Sequence, residues 1–109
     1  MAGFVKGDIV IIPFPFSDLS DSKRSPALVL VDLPGDDIIL CQVTSQQSND
    51  VYAVPINSSD FVSGSLPIAS NIRPTRIFTA DQSIILRRAG TISPAIVAKV
   101  SKILIGMLT

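Results

Sequence analysis

A chain of 109 residues with 47% hydrophobic side chains is long enough for one cored domain and too short for two. It carries nine Lys and Arg against nine acids, all of them Asp, with no histidine and a single cysteine. That composition excludes imidazole chemistry, Ser-His-Asp and Cys-His nucleophiles, an internal disulfide and a Cys/His zinc site.

Gly7 to Ile12 reads as a first strand, rich in β-branched residues. Pro13-Phe14-Pro15-Phe16 ends it, because proline removes ladder donors. Residues 17–25 are polar and turn-forming, a surface loop. Ala27 to Leu33 is a short buried strand, and Pro34-Gly35-Asp36-Asp37 a hairpin turn in which glycine accepts positive φ. Ile38 to Thr44 returns; within it Cys41 reads as a small buried hydrophobe. Val51 to Ile56 is a further strand, with Pro55 marking an edge or an end. Asn57 to Asp60 is a turn before the short apolar stretch Phe61 to Leu66. Asn71 to Ala80 is a strand bearing Arg73 and Arg76, and Arg87-Arg88 follows another strand at Ser83 to Leu86.

The period then changes. Ser93 is an N-cap and Pro94 the first helical residue. Ile96, Val100, Ile103, Leu104 and Met107 recur at helical spacing, and Val97, Ile105 and Leu108 widen the apolar face. Such a face suits burial in the chain's own core, a subunit interface, or both. Many short strands and one terminal helix predict a mainly β fold, a small barrel or rolled sheet with the helix packed outside.

The net charge of zero hides an asymmetry: residues 1–69 carry three basic side chains against eight Asp, residues 70–109 six against one. A basic half hints at a polyanion-binding face. No apolar run approaches the roughly 18 residues of a membrane span, and Met1 to Lys6 lacks a signal-peptide hydrophobic region. One cytoplasmic domain over residues 1–109, without membrane contact, is the expectation.

Several stretches carry a resemblance. They are Gly7-Asp8-Ile9-Val10 through Pro13-Phe14-Pro15-Phe16-Ser17-Asp18, Lys23-Arg24-Ser25-Pro26-Ala27-Leu28-Val29-Leu30, Val43-Thr44-Ser45, Asn71-Ile72-Arg73-Pro74 to Phe78, and Arg87 to Ser93. In this order and spacing, over nearly the whole chain, the sequence resembles the MazF/PemK toxins. The resemblance implies an SH3-like barrel with a C-terminal α-helix, a homodimer, and a cognate antitoxin whose tail occupies the RNA groove. It also implies cleavage of single-stranded RNA without metal or cofactor, leaving a 2′,3′-cyclic phosphate and a 5′-hydroxyl.

Metal-free RNA cleavage needs a cation on the phosphorane oxygens, and the guanidinium fork suits that task. A hydroxyl can hold the phosphate or the 2′-OH in line. The resemblance places the hydroxyl at Thr44 and the family's arginine immediately before Pro26, where this chain has Ser25. Arg24, one residue earlier, is the candidate to serve instead, although a one-residue shift along a strand reverses the face a side chain points to. Arg24 and Thr44 are the expected catalytic pair, with Lys23, Ser45, Arg73 and Arg76 contacting RNA. If the reaction uses a general base, Asp18 and Asp81 are the candidates, since arginine does not give up its proton. Arg87-Arg88 reads as a solvated pair or a backbone contact, and Phe14 and Phe16 as loop anchors or base-stacking groups. The alternative is a member that has lost catalysis and binds only RNA or an antitoxin.

Overall fold

The computed structural model describes residues 3–13, 24–46 and 49–109. Among the described residues seven strands, all pairing antiparallel, form one sheet in the order β4-β6-β3-β2-β1-β7-β5. They are β1 (Asp8–Ile12), β2 (Ser25–Asp32), β3 (Asp37–Thr44), β4 (Val54–Ile56), β5 (Phe61–Gly64), β6 (Ser70–Asp81) and β7 (Arg87–Ile92), followed by helix α1 (Pro94–Leu108). The mainly β architecture with a terminal helix is the one expected.

β1 is buried along its whole length, so both of its faces are covered. Alternation splits it. Ile9 joins a core with Leu28, Cys41, Val43, Ile72 and Ile92, while Val10 and Ile12 join a second with Ala27, Val29, Ile38 and Leu40. Helix α1 closes the first core through Val100, with Ile96, Val97, Ile103 and Leu104 against it. Phe4, Phe78, Ile84 and Ile85 close the second. Burial of the Cys41 thiol raises its pKa from the ordinary value to about 12, as expected of a packing residue.

Local chemistry explains the boundaries. The β2–β3 hairpin turns on Gly35, at φ +85°, and the Leu33 N–H donates to the Asp37 carbonyl at 3.2 Å. Pro55 lies on edge strand β4, as its missing donor requires. The Ile96 N–H donates to the Ser93 hydroxyl at 3.4 Å, capping α1. Ile105 and Leu108, on the apolar face of α1, stand outside the chain's own core, 62% and 83% exposed. One expectation needs correction. Arg87 and Arg88 do not follow a strand but open β7. Residues 82–84 form a 3-10 turn instead, started by the Asp81 side chain, which accepts from the Ser83 N–H at 2.9 Å.

At the other edge, β5 meets β7 backbone to backbone. Gly64, at φ +66°, pairs with Gly90, and a Cβ on Gly64 would collide with the Ala89 carbonyl oxygen and the Gly90 Cα. A Cβ on Gly90 would strike the Ser63 carbonyl and the Phe61 ring. Only glycine allows this approach.

Candidate functional site: two arginines around one cavity

The ends of β2 and β3 lie where the sequence placed its catalytic pair. The last pair of their ladder at this end is Ala27 with Gln42. Two residues further along each strand stand Ser25 and Thr44, and beyond them Arg24 and Ser45. Alternation divides these four. Ser25 and Thr44 share the parity of Ala27 and Leu40, whose core is the second one. Arg24 and Ser45 share that of Leu28, Cys41 and Val43, in the first core.

A cavity of about 450 Å³ opens on that first face. Among the described residues its cations are Arg24 and Arg87, and Ser45 lies with them. Ile11, Pro26 and Leu86 give it an apolar side, and the segment 65–70 supplies another wall. Arg87 pairs in register with Ile11, which explains why it faces the cavity. Neither Arg24 nor Arg87 forms an ion pair with a described residue. The volume falls in the range of small-ligand sites, roughly 300–1,000 Å³.

Arg88 behaves differently. It registers with Val10, on the opposite face, across a β-bulge. Its Nε lies 3.1 Å from Asp8 Oδ2, its Nη2 donates to the Gly3 carbonyl at 3.0 Å, and its guanidinium carbon sits 5.1 Å from the Phe4 ring centre. Asp8 is buried, and also accepts from the Val5 N–H at 2.9 Å and the Thr91 hydroxyl at 3.1 Å.

Thr44 is half-buried and does not line the cavity; its hydroxyl accepts from the Gln46 N–H at 3.1 Å. On its face the side-chain oxygen of Gln42 is buried with no hydrogen-bond partner among the described residues. Arg73 and Arg76 are also outside the cavity lining. Arg73 donates from Nε to Asp50 Oδ2 at 3.1 Å, and the Thr75 hydroxyl donates to the same oxygen at 3.0 Å. Desolvation pushes the Asp50 carboxyl up, but the Tyr52 N–H, Thr75 and the Arg73 guanidinium outweigh it, leaving it below the ordinary carboxylate value. Thr75 and Arg76 are exposed within a bulge, where the β6 register jumps from Ile77 to Arg73 and the donorless Pro74 is accommodated.

Arg24 and Ser45 are thus brought together, and Thr44, Arg73 and Arg76 are not brought to the same cavity. Lys23, Asp18, Phe14 and Phe16 lie outside the described residues. Arg87 is the residue that sequence reasoning left unselected; only its register opposite Ile11 marks it. A second cavity, about 510 Å³, lies beside the start of α1, lined by Lys6 with Val62, Ile92 and Val97. Among the described residues no three His, Cys, Asp or Glu side chains converge to hold a metal ion, and no helix is long and apolar enough to cross a membrane.

A family model for PemK-like, MazF-like toxins of type II toxin–antitoxin systems matches residues 5–108. No curated protein sequence matches the chain. Solved structures do. A mycobacterial endoribonuclease in complex with its cognate antitoxin shares 17% identity over 97% of this chain and 95% of its own, with a TM-score of 0.74. The Deinococcus radiodurans MazE–MazF complex shares 20% over 95% and 94%, at 0.73. Mycobacterium tuberculosis toxin MazF-mt6 shares 15% over 93% and 95%, at 0.72. At these identities the likeness is one of fold.

Proposed function

Because the chain belongs to the PemK-like, MazF-like toxins of type II toxin–antitoxin systems, we propose that it is a ribonuclease that cuts single-stranded RNA without a metal ion. The observation that carries this reading is the pair of guanidiniums, Arg24 and Arg87, facing one cavity beside the strand end that bears Thr44 and Ser45. In the reaction the ribose 2′-oxygen attacks phosphorus, its proton leaves, the bond to the 5′-oxygen breaks, and that oxygen takes up a proton. The products are a 2′,3′-cyclic phosphate and a 5′-hydroxyl. Arg24 grips the phosphorane oxygens, where an aimed donor contributes about 2.7–4 kcal/mol. A strand-end hydroxyl, Thr44 or Ser45, holds the reacting groups in line. Lys23 and the exposed Arg76 follow the RNA backbone. Arg73 does so less directly, its charge being shared with Asp50.

The partners that accompany this reading are a cognate antitoxin and a second copy of the chain, in the cytoplasm. Purified protein incubated with single-stranded RNA in excess EDTA is expected to yield 5′-hydroxyl fragments, and Arg24→Ala to lose them by a hundredfold or more. Intact RNA after prolonged incubation at high enzyme concentration would remove the reading.

A second reading has its own observation: Ser25, and not Arg24, shares a strand-end face with Thr44, so the cation and the hydroxyl of the expected pair stand on opposite faces. It takes the chain as a binding module that has lost catalysis. RNA binding without cleavage, with cleavage gained in Ser25→Arg, selects it.

A further inference from the structure

Resting on the ribonuclease reading, we propose that the scissile phosphate is held on the cavity face by Arg24, Arg87 and Ser45, so that Ser45 rather than Thr44 supplies the hydroxyl and Arg87 is the second cation. Three independent features of the sheet point the same way. The first is parity: Arg24 and Ser45 follow Pro26 and Val43 on one face, whereas Ser25 and Thr44 fall on the other. The second is cross-strand register. Arg87 sits opposite Ile11, which itself lines the cavity, and its neighbour Arg88 is turned away into a pair with Asp8. The third is occupancy. The Thr44 hydroxyl is half-buried and takes the Gln46 N–H, whereas Ser45 is exposed in the cavity and its hydroxyl makes no hydrogen bond to a described residue.

Chemistry then completes the assignment. A phosphate dianion equivalent building in the transition state carries charge on two non-bridging oxygens, and two guanidiniums with a hydroxyl donor satisfy both. Slipping the cation by one residue on β2 is compensated by slipping the hydroxyl by one residue on β3. Because these strands are antiparallel neighbours, both slips move a group to the same face. The apolar side formed by Ile11, Pro26 and Leu86 gives a nucleobase a surface to rest on next to the phosphate.

The test uses the full chain and two probes. Binding is read with a random-sequence pool of 2′-O-methyl oligonucleotides, which cannot be cut; cleavage is read with unmodified RNA. Arg87→Ala is expected to weaken binding tenfold or more. Ser45→Ala is expected to weaken it severalfold, and more than Thr44→Ala. Ser25→Ala, on the other face, serves as the control and stays within twofold of wild type. Thermal melting confirms that each variant folds. Cleavage is expected to fall in the same order.

The proposal is overturned if Thr44→Ala loses more than Ser45→Ala, if Arg87→Ala binds like wild type, or if wild type does not bind the pool. In each of those cases a wild type that still cuts RNA leaves the ribonuclease reading intact. Conversely, a wild type that binds with the expected order of variants but never cuts removes that reading and with it the scissile phosphate, leaving Arg24, Arg87 and Ser45 as a phosphate-binding site alone.

Discussion

Arg87 and Arg88 are neighbours in sequence and opposites in structure. Arg88 is spent on the fold. It holds Asp8, the Gly3 carbonyl and the Phe4 ring, and so ties the N-terminal segment to β7. Arg87 has no such partner among the described residues and faces the cavity with Arg24. The same side chain therefore does structural or chemical work according to whether a carboxylate meets it. A cation satisfied by a buried acid has little potential left for an incoming polyanion. One left open on an apolar surface keeps it.

Substitutions can break that contrast, and the largest expected effect is on the structural side. Asp8→Ala strips the acceptor from the Val5 N–H, the Thr91 hydroxyl and Arg88 at once. It is expected to destabilise by about 2–4 kcal/mol, seen as a lower denaturant midpoint. Arg88→Ala should cost about 1 kcal/mol, because its guanidinium is partly exposed and its pairing correspondingly screened. Arg87→Ala should move the midpoint by less than about 0.5 kcal/mol while weakening RNA binding. An Arg87→Ala protein that unfolds as readily as Arg88→Ala would erase the distinction.

A smaller effect sharpens it. Asp50, held below the ordinary carboxylate value by Arg73, Thr75 and the Tyr52 N–H against desolvation, ties the loop after Ser45 to β6. A carboxyl depressed in the folded state stabilises it above the unfolded value, about 3.9, and that contribution disappears as pH falls through the folded value. Asp50→Asn should therefore be less stable than wild type at neutral pH. The difference should close on acidification below about pH 4. A gap that persists at low pH would mean that Arg73 draws its support from elsewhere.

Much of the fold could be read from residue order alone. β-branched runs marked β1 to β3, Pro34-Gly35 the hairpin, Pro55 an edge, and Ser93-Pro94 the helix start. The residue types of the site were legible too, since Arg24 and Ser45 do converge on one cavity. Which arginine joins them was not. The faces of Arg87 and Arg88 depend on the bulge opposite Ile9 and Val10, a property of pairing between strands far apart in the chain. Likewise, Arg73 looked like an open cation because its partner Asp50 is 23 residues away and approaches only once β6 has bulged around Pro74. Helical periodicity marked the wide apolar face of α1 but not how much of it the chain's own core covers, since Ile105 and Leu108 stand outside it; a period shows which residues align, not how far the sheet beneath them extends.

The glycine contact between β5 and β7 reaches beyond those two strands. The segment 65–70, one flank of the cavity, leaves β5 immediately after Gly64, and the Ser65 N–H donates to the Ala89 carbonyl at 3.3 Å. Spacing between two main chains, set by a pair of missing methyl groups, thus fixes where that flank stands relative to Arg87. Enlarging Gly90 by a single carbon would act as a shim: the Ser63 main chain, two residues before that flank begins, would have to give way.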